Sequence, residues 1–237
     1  MESTSIDDAP AVTREESTVI SKERVTEFGE VLTGPREVNA MLDLVKQETE
    51  RIESRFLEPA CGNGNFLAEI LERKLRVVES RYGKSQLDYE RKAVVAVASI
   101  YGVDILEDNV AACRARLFGI FDQSYTSRFK KTAKAECRDT IRHILERNIV
   151  HGDALSLKTI SKVPRPIIFS EWTAPFDNSL IKRRDYEFSE LFQSGENSQP
   201  NLFLSEQYSD LGHPAFIPKE LTNFPLIHFL KLRDHDK

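Results

Sequence analysis

The sequence predicts an α/β fold built on a mostly parallel sheet, and three observations lead to this prediction. Segments with apolar residues at helical spacing alternate with short apolar runs that suit buried strands. The first such run, residues 55–58, leads directly into a turn with two glycines. Acidic residues stand at the ends of three consecutive strand candidates. Parallel strands place their carboxyl ends at one edge of a sheet, so we expect a ligand site there.

The predicted elements follow in that alternating order. Gly34 and Pro35 precede the first helix, and proline suits a first helical turn. The helix after the glycine turn has an apolar stripe from Leu67 to Val78, and a further helix is predicted for Lys84 to Ser99. The other predicted strands are 100–105, 148–155 and 164–172, with helices around 110–121 and 137–145 between the first two of them.

Length and composition limit the architecture. A chain of 237 residues, 40% hydrophobic and 30% charged, can bury one substantial core. Residues 1–22 are expected to form a disordered, solvated tail rather than a signal peptide. No window is apolar for long enough to cross a bilayer, and three cysteines without CxxC spacing suit a reducing cytoplasm. The five histidines show no metal-ligand spacing, so no metal site is expected.

The residues at the predicted strand ends indicate the chemistry of the site. Gly62 and Gly64 lack a Cβ, so a ligand could approach the turn that follows Glu58. Asp104 ends the next strand, where a carboxylate can accept hydrogen bonds from both hydroxyls of a ribose. Asp153 ends the third, where it could accept from an adenine amino group. Two glycines alone suit an unliganded turn equally well, but three such strand ends favour a site.

The stretches FLEPACGNGNFL, YGVDI and VHGDAL resemble, in this order, the first three cofactor motifs of the adenine-specific DNA methyltransferases of bacterial restriction–modification systems. This resemblance implies a Rossmann-like class I methyltransferase sheet that binds S-adenosylmethionine, here with a helical insertion. In that family the glycine turn holds the methionine portion, the second acid binds the ribose, and the third contacts the adenine. A segment upstream closes over the cofactor. The matching positions are Phe28, Thr33, Pro35, Glu58, Pro59, Ala60, Cys61, Gly62, Asn63, Gly64, Phe66, Asp104, Ile105, Asp153 and Ala154.

The sequence departs from that family after the fourth strand candidate. There the family places an Asn/Asp-Pro-Pro-aromatic motif that holds the target amine and stacks on the flipped base, whereas this chain reads FSEW. Glu171 retains an acceptor and Trp172 an aromatic ring, so these two are the candidate catalytic residues. The absence of both prolines favours another interpretation, in which Trp172 is a core aromatic and Glu171 a solvated acid.

The predicted domain plan has three parts, of which the tail at residues 1–22 is the first. Residues 23–172 form the cofactor-binding domain, and 173–237 form a loop-rich extension. In that extension, 193–201 is a loop, 179–192 a helix or strand, and 224–232 a last strand. By comparison with the family's seven-stranded sheet, the C-terminal half looks incomplete, and a second protein chain is expected to supply target recognition and the acceptor motif.

One basic stripe is a candidate DNA contact. Lys131, Lys134, Arg138 and Arg142 recur at helical spacing opposite an apolar face, although a solvated charged face is the simpler interpretation. The net charge of −5 predicts weak, salt-sensitive DNA binding by the chain alone.

Three functions are compatible with these features. The first is a DNA adenine methyltransferase, or its modification subunit, that works with a partner chain. The second is a cofactor-binding scaffold or sensor without catalytic activity. The third is a methyltransferase for another acceptor, with Glu171 as the base.

Overall fold

A computed structural model describes residues 24, 32–176, 178–191, 207–208, 214–215 and 219–236. Phe28, the whole predicted tail at 1–22 and the predicted loop at 193–201 lie outside these residues. The helices are α1 (Pro35–Asp43), α2 (Lys46–Thr49), α3 (Asn65–Tyr82), α4 (Gln86–Ala98), α5 (Glu107–Phe129) and α6 (Ala135–Asn148). Short 3₁₀ helices cover Lys130–Thr132, Phe188–Leu191 and Phe229–Asp236.

The strands form a parallel sheet and a separate antiparallel one. They are β1 (Phe56–Glu58), β2 (Ile100–Asp104), β3 (Ile149–Asp153), β4 (Lys158–Thr159), β5 (Ile168–Thr173), β6 (Leu180–Glu187), β7 (Gln207–Tyr208), β8 (Pro214–Ala215), β9 (Thr222–Asn223) and β10 (Ile227–His228). The first sheet has the order β1-β2-β3-β4, parallel except for β4. In the second, β6 pairs with β5, β9 and β10, all antiparallel, and β7 pairs separately with β8.

The first three predicted strands form the parallel sheet, so α/β with a parallel-rich sheet is confirmed. The fourth predicted strand does not join it. β5 pairs with β6 over its whole length, because residues 180–187 form a strand of matching length rather than a helix. The last predicted strand is reduced to two residues, Ile227 and His228, followed by a 3₁₀ helix.

Alternation along β2 directs its side chains to two different cores. Ile100 belongs to the large apolar cluster formed by α3, α4, α5 and α6. Tyr101 and Val103 belong to a second cluster with Ile167, Phe169 and Phe188. The helices therefore cover one face of the parallel sheet, and Ile167, Phe169 and Phe188 pack against the other. The antiparallel sheet contributes to both clusters, because its Trp172 and Ile181 pack with the helices.

The strand registers align the three acids. Glu58 lies opposite Gly102, and Asp104 opposite His151, so Glu58, Asp104 and Asp153 all end strands at one edge. We call this the carboxyl edge and the opposite one the amino edge. Among the described helices, none has the length and apolarity that a membrane span requires.

Candidate functional site

The glycine turn after β1 adopts backbone conformations that suit glycine. Gly62 has φ = 50° and Gly64 has φ = 88°, both in the left-handed region that other residues rarely adopt. A Cβ on Gly64 would lie 2.7 Å from the Sγ of Cys113 on α5. The Cys61 N–H donates to the Val103 carbonyl at 2.9 Å, which fixes the turn beside the end of β2. The turn can therefore approach α5 this closely only because glycine occupies position 64.

Asp104 holds the same turn from the end of β2. Its Oδ2 accepts from the Gly62 N–H at 2.7 Å, and its Oδ1 accepts from the Leu106 N–H at 2.9 Å. The Asn109 side chain also donates to Oδ1, at 3.3 Å. Asp104 is only 7% exposed, so its carboxylate is a buried acceptor that joins the glycine turn to the start of α5.

A cavity of about 540 Å³ opens where the three strand ends meet. This volume falls within the range of small-molecule sites, roughly 300–1,000 Å³. The residues that line it are Leu32, Thr33, Glu58, Pro59, Ala60, Cys61, Gly62, Asn63, Asn65, Phe66, Asp104, Ile105, Leu106, Asn109, Gly152, Asp153, Ala154 and Leu155.

The cavity is acidic. Among the described residues that line it, Glu58, Asp104 and Asp153 are acids and none is a lysine or arginine. Burial raises the pKa of Glu58, although the Ala60 N–H opposes the shift. Hydrogen bonds from Ser156 and the Leu155 N–H lower the pKa of Asp153. The buried Oδ1 of Asn63 has no hydrogen-bond partner among the described residues.

The structure brings twelve of the predicted cofactor residues to this cavity. Pro35 instead begins α1, and Gly64 lies behind the turn against Cys113. Gly64 is therefore needed for packing, and a larger residue there would meet the core rather than the path of a ligand. Phe28 lies outside the described residues.

The sequence analysis missed six residues that line the cavity. Asn65 begins the helix that follows the glycine turn, and Asn109 lies in the first turn of the helix that follows Asp104. Their positions directly after these two motifs could have revealed them. The Asn65 side chain donates to the Thr33 carbonyl at 2.9 Å, so it ties the segment before α1 to the start of α3. The others are Leu32, Leu106, Gly152 and Leu155.

Glu171 and Trp172 lie at the amino edge, away from the cavity. Trp172 is 5% exposed, and its Nε1 donates to Asn148 Oδ1 at 3.2 Å, just before β3. Glu171 forms ion pairs with Arg55, just before β1, and with Arg184. Strand β2 separates the two edges by roughly 13 Å, at about 3.3 Å per residue. Trp172 is thus a core aromatic; Glu171 is a paired acid rather than a solvated one.

The predicted basic stripe spans two elements, because Lys131 lies in the 3₁₀ turn before α6. Three of its cations already have acidic partners. Lys134 pairs with Glu90 at 2.7 Å, Arg138 with Asp122 at 2.6 Å, and Arg142 with Asp139 at 3.0 Å. These pairs reduce the charge that the stripe can offer to phosphates.

A parallel-rich α/β sheet with a glycine turn and a cavity at its carboxyl edge defines a class of small-molecule-binding α/β domains and is consistent with a methyltransferase domain. The family is given by the comparison with family models. Residues 35–172, more than half of the chain, match the model described as MmeI, DNA-methyltransferase domain. The chain belongs to this family, which is of restriction–modification type. The comparisons with curated proteins and with solved structures gave no match.

Proposed function

We propose that the chain is the S-adenosylmethionine-binding domain of an adenine-specific DNA methyltransferase in a restriction–modification system, and that it acts with a second protein chain. The single observation that supports this most directly is the acidic cavity at the ends of three parallel strands. The family match supports the reaction class, since it covers all three strand ends.

The charge of the cavity favours this cofactor over adenine nucleotides. S-adenosylmethionine carries a sulfonium and an ammonium group against one carboxylate, so it is a net cation. NAD and ATP carry phosphates, which the three carboxylates of the cavity would repel. Among the described lining residues, no lysine or arginine offsets this repulsion.

The division of roles follows the positions of the lining residues. The turn from Glu58 to Asn63 would hold the methionine portion, and Asp104 would accept from a ribose hydroxyl. The carboxylate has about four acceptor positions, and the N–H groups of Gly62, Leu106 and the Asn109 side chain use three of them, so one position on Oδ2 is left for the ribose. Ile105 and Asp153 would border the adenine. The cofactor supplies an electrophilic methyl group.

The second chain is proposed because an adenine amine needs acceptors placed beside that methyl group. Among the described residues, Glu171 and Trp172 lie at the opposite edge. The same observation favours one alternative function, a cofactor-binding scaffold or sensor without transfer activity. Glu171 as a base for another acceptor gains no support, because its carboxylate is paired with Arg55 and Arg184.

Calorimetry and methyl transfer together test the proposal. The purified chain should bind S-adenosylhomocysteine and should not bind NAD or ATP comparably. Transfer of a labelled methyl group to adenine in DNA should be negligible for the chain alone and should appear with its neighbouring gene product. No binding of either S-adenosylmethionine or S-adenosylhomocysteine at millimolar concentration would remove the cofactor assignment, while transfer by the chain alone would remove the need for a partner.

A further inference from the structure

We infer that residues 154–168, the rim hairpin, form the surface of this chain that contacts the phosphate backbone of DNA. The hairpin follows β3, contains β4, and returns through Arg165 and Pro166 to β5. This inference rests on the proposed function, and it assigns the DNA contact to residues other than the basic stripe of the sequence analysis.

The first observation is charge. The hairpin contains Lys158, Lys162 and Arg165 and no acidic residue, whereas the whole chain has a net charge of −5. All three cations are exposed, and none forms an ion pair with another described residue. Such cations can exchange their counterions for DNA phosphates, and the release of those ions favours binding.

The second observation is position. Lys158 lies opposite Asp153 in the β3–β4 register, and Thr159 lies opposite Gly152. Asp153 and Gly152 both line the acidic cavity. A target base that approaches the proposed cofactor must bring its own phosphates near this edge, because a flipped nucleotide stays attached to its backbone. Lys158 lies at this edge, Arg165 lies beside Thr159, the next residue of β4, and Lys162 lies in the turn between them. The hairpin can therefore neutralise phosphates that the acidic cavity itself would repel.

The third observation is that the hairpin is held in place. The Thr159 N–H donates to the Arg165 carbonyl at 2.8 Å, and the Ile167 N–H donates to the Leu157 carbonyl at 2.9 Å. Ile167 is fully buried in the second apolar cluster, so it anchors the returning strand. The exposed side chains of Leu155 and Val163 add apolar contact area on the same segment.

Acidic residues border the hairpin but do not interrupt it. Asp153 precedes it, and its oxygens accept from the N–H groups of Leu155 and Ser156. Glu187 lies opposite Ile168 in the β5–β6 register. The cationic region therefore lies between the cavity and the second sheet. Its charge and its place beside the cavity favour duplex DNA as the partner.

A matched pair of variants tests the inference. The hairpin variant Lys158→Gln/Lys162→Gln/Arg165→Gln and the stripe variant Lys131→Gln/Lys134→Gln/Arg142→Gln each lose three positive charges. DNA binding by the full chain is measured by fluorescence anisotropy between 50 and 200 mM salt. The hairpin variant should bind more weakly, with a log–log salt slope smaller in magnitude by about 2.7, that is about 0.9 for each phosphate contact. The stripe variant should stay near the wild type.

Binding of S-adenosylhomocysteine separates this inference from the proposed function. Retained binding in the hairpin variant shows that the fold and the cavity are intact, so weaker DNA binding then reports the hairpin itself. Equal DNA binding by the hairpin variant and the wild type would overturn the inference. The inference would also be overturned if poly-glutamate displaced the labelled DNA as strongly as unlabelled DNA does, because the surface would then suit an acidic protein.

Discussion

At the residue scale, Gly64 and Gly119 serve different purposes. Gly64 begins α3 in a left-handed conformation against Cys113, whereas Gly119 lies inside α5 with nothing within 4 Å of an added Cβ. We expect Gly64→Ala to destabilise the fold by at least about 1–2 kcal/mol, the cost of a left-handed non-glycine residue. Gly119→Ala should stabilise it by about 0.5–1 kcal/mol through helix propensity. Urea unfolding of both variants measures these changes.

Gly119→Ala is the control for Gly64→Ala, because both variants replace a glycine by alanine and the two positions lie on helices that pack together. A loss of cofactor affinity in Gly64→Ala without any loss of stability would contradict the packing role and would place position 64 in the path of the ligand.

Asp104 combines a structural contact with a predicted ligand contact. Its carboxylate already accepts from Gly62, Leu106 and Asn109, and the ribose would add one more charge-assisted hydrogen bond. Asp104→Ala should weaken S-adenosylhomocysteine binding by about 1.5–3 kcal/mol, or roughly 10- to 150-fold. Calorimetry measures the change, and Asp139→Ala on the exposed face of α6 is the control. Equal affinities of the two variants would contradict the ribose role.

At the element scale, the last 3₁₀ helix is tied to the rest of the fold by one acid. Asp236 accepts from Arg183 at 2.7 Å, also pairs with Arg147, and lies 3.4 Å from His143 Nε2. Arg183 is 1% exposed and also pairs with Asp185 at 2.8 Å. This network joins α6, β6 and the 3₁₀ helix at the amino edge.

The network makes stability depend on pH. Burial lowers the pKa of His143 to about 4; Asp236 opposes the shift, and Arg147, Arg183 and Arg233 add to it. His143 is protonated near pH 6.5 in the unfolded chain but only near pH 4 in the folded chain. The free energy of unfolding therefore falls as pH falls through that window. The total loss is about 3 kcal/mol at most.

Chemical unfolding between pH 4 and 7 tests this expectation. His143→Gln should show a shallower loss of stability with falling pH, whatever its stability at pH 7. Parallel pH profiles of the variant and the wild type would show that the titrating group lies elsewhere.

At the scale of the whole molecule, the two edges of the parallel sheet have different roles. The carboxyl edge holds the acidic cavity, while the amino edge holds a buried ionic network around Trp172, with the Arg183 guanidinium 5.3 Å from the ring centre. Disturbing the amino edge should therefore change stability without changing the site.

Trp172→Phe tests this separation. The change leaves Asn148 Oδ1 without its indole donor, so we expect a loss of about 1–3 kcal/mol in the free energy of unfolding. S-adenosylhomocysteine affinity should stay within about twofold of the wild type, on the order of 0.4 kcal/mol. Phe176→Leu, at an exposed aromatic soon after β5, is the control for stability. A large loss of affinity in Trp172→Phe with little loss of stability would place Trp172 in the functional site.

The sequence by itself determined the local elements of the parallel sheet and most of the cavity. Helical spacing and short apolar runs located α3, α4, β1, β2 and β3, because each depends on contacts between residues close in the chain. The carboxyl-edge acids could be grouped in advance, since parallel strands align their ends.

Only the tertiary structure decided where FSEW lies, what Gly64 contacts, and which cations have partners. Whether β5 joins the parallel sheet or pairs with β6 depends on a strand that follows it in the chain. Cys113 lies far from Gly64 in sequence, and the stripe cations are paired with acids mostly on other helices. Contacts of this kind join distant segments, so no local pattern of residue types records them.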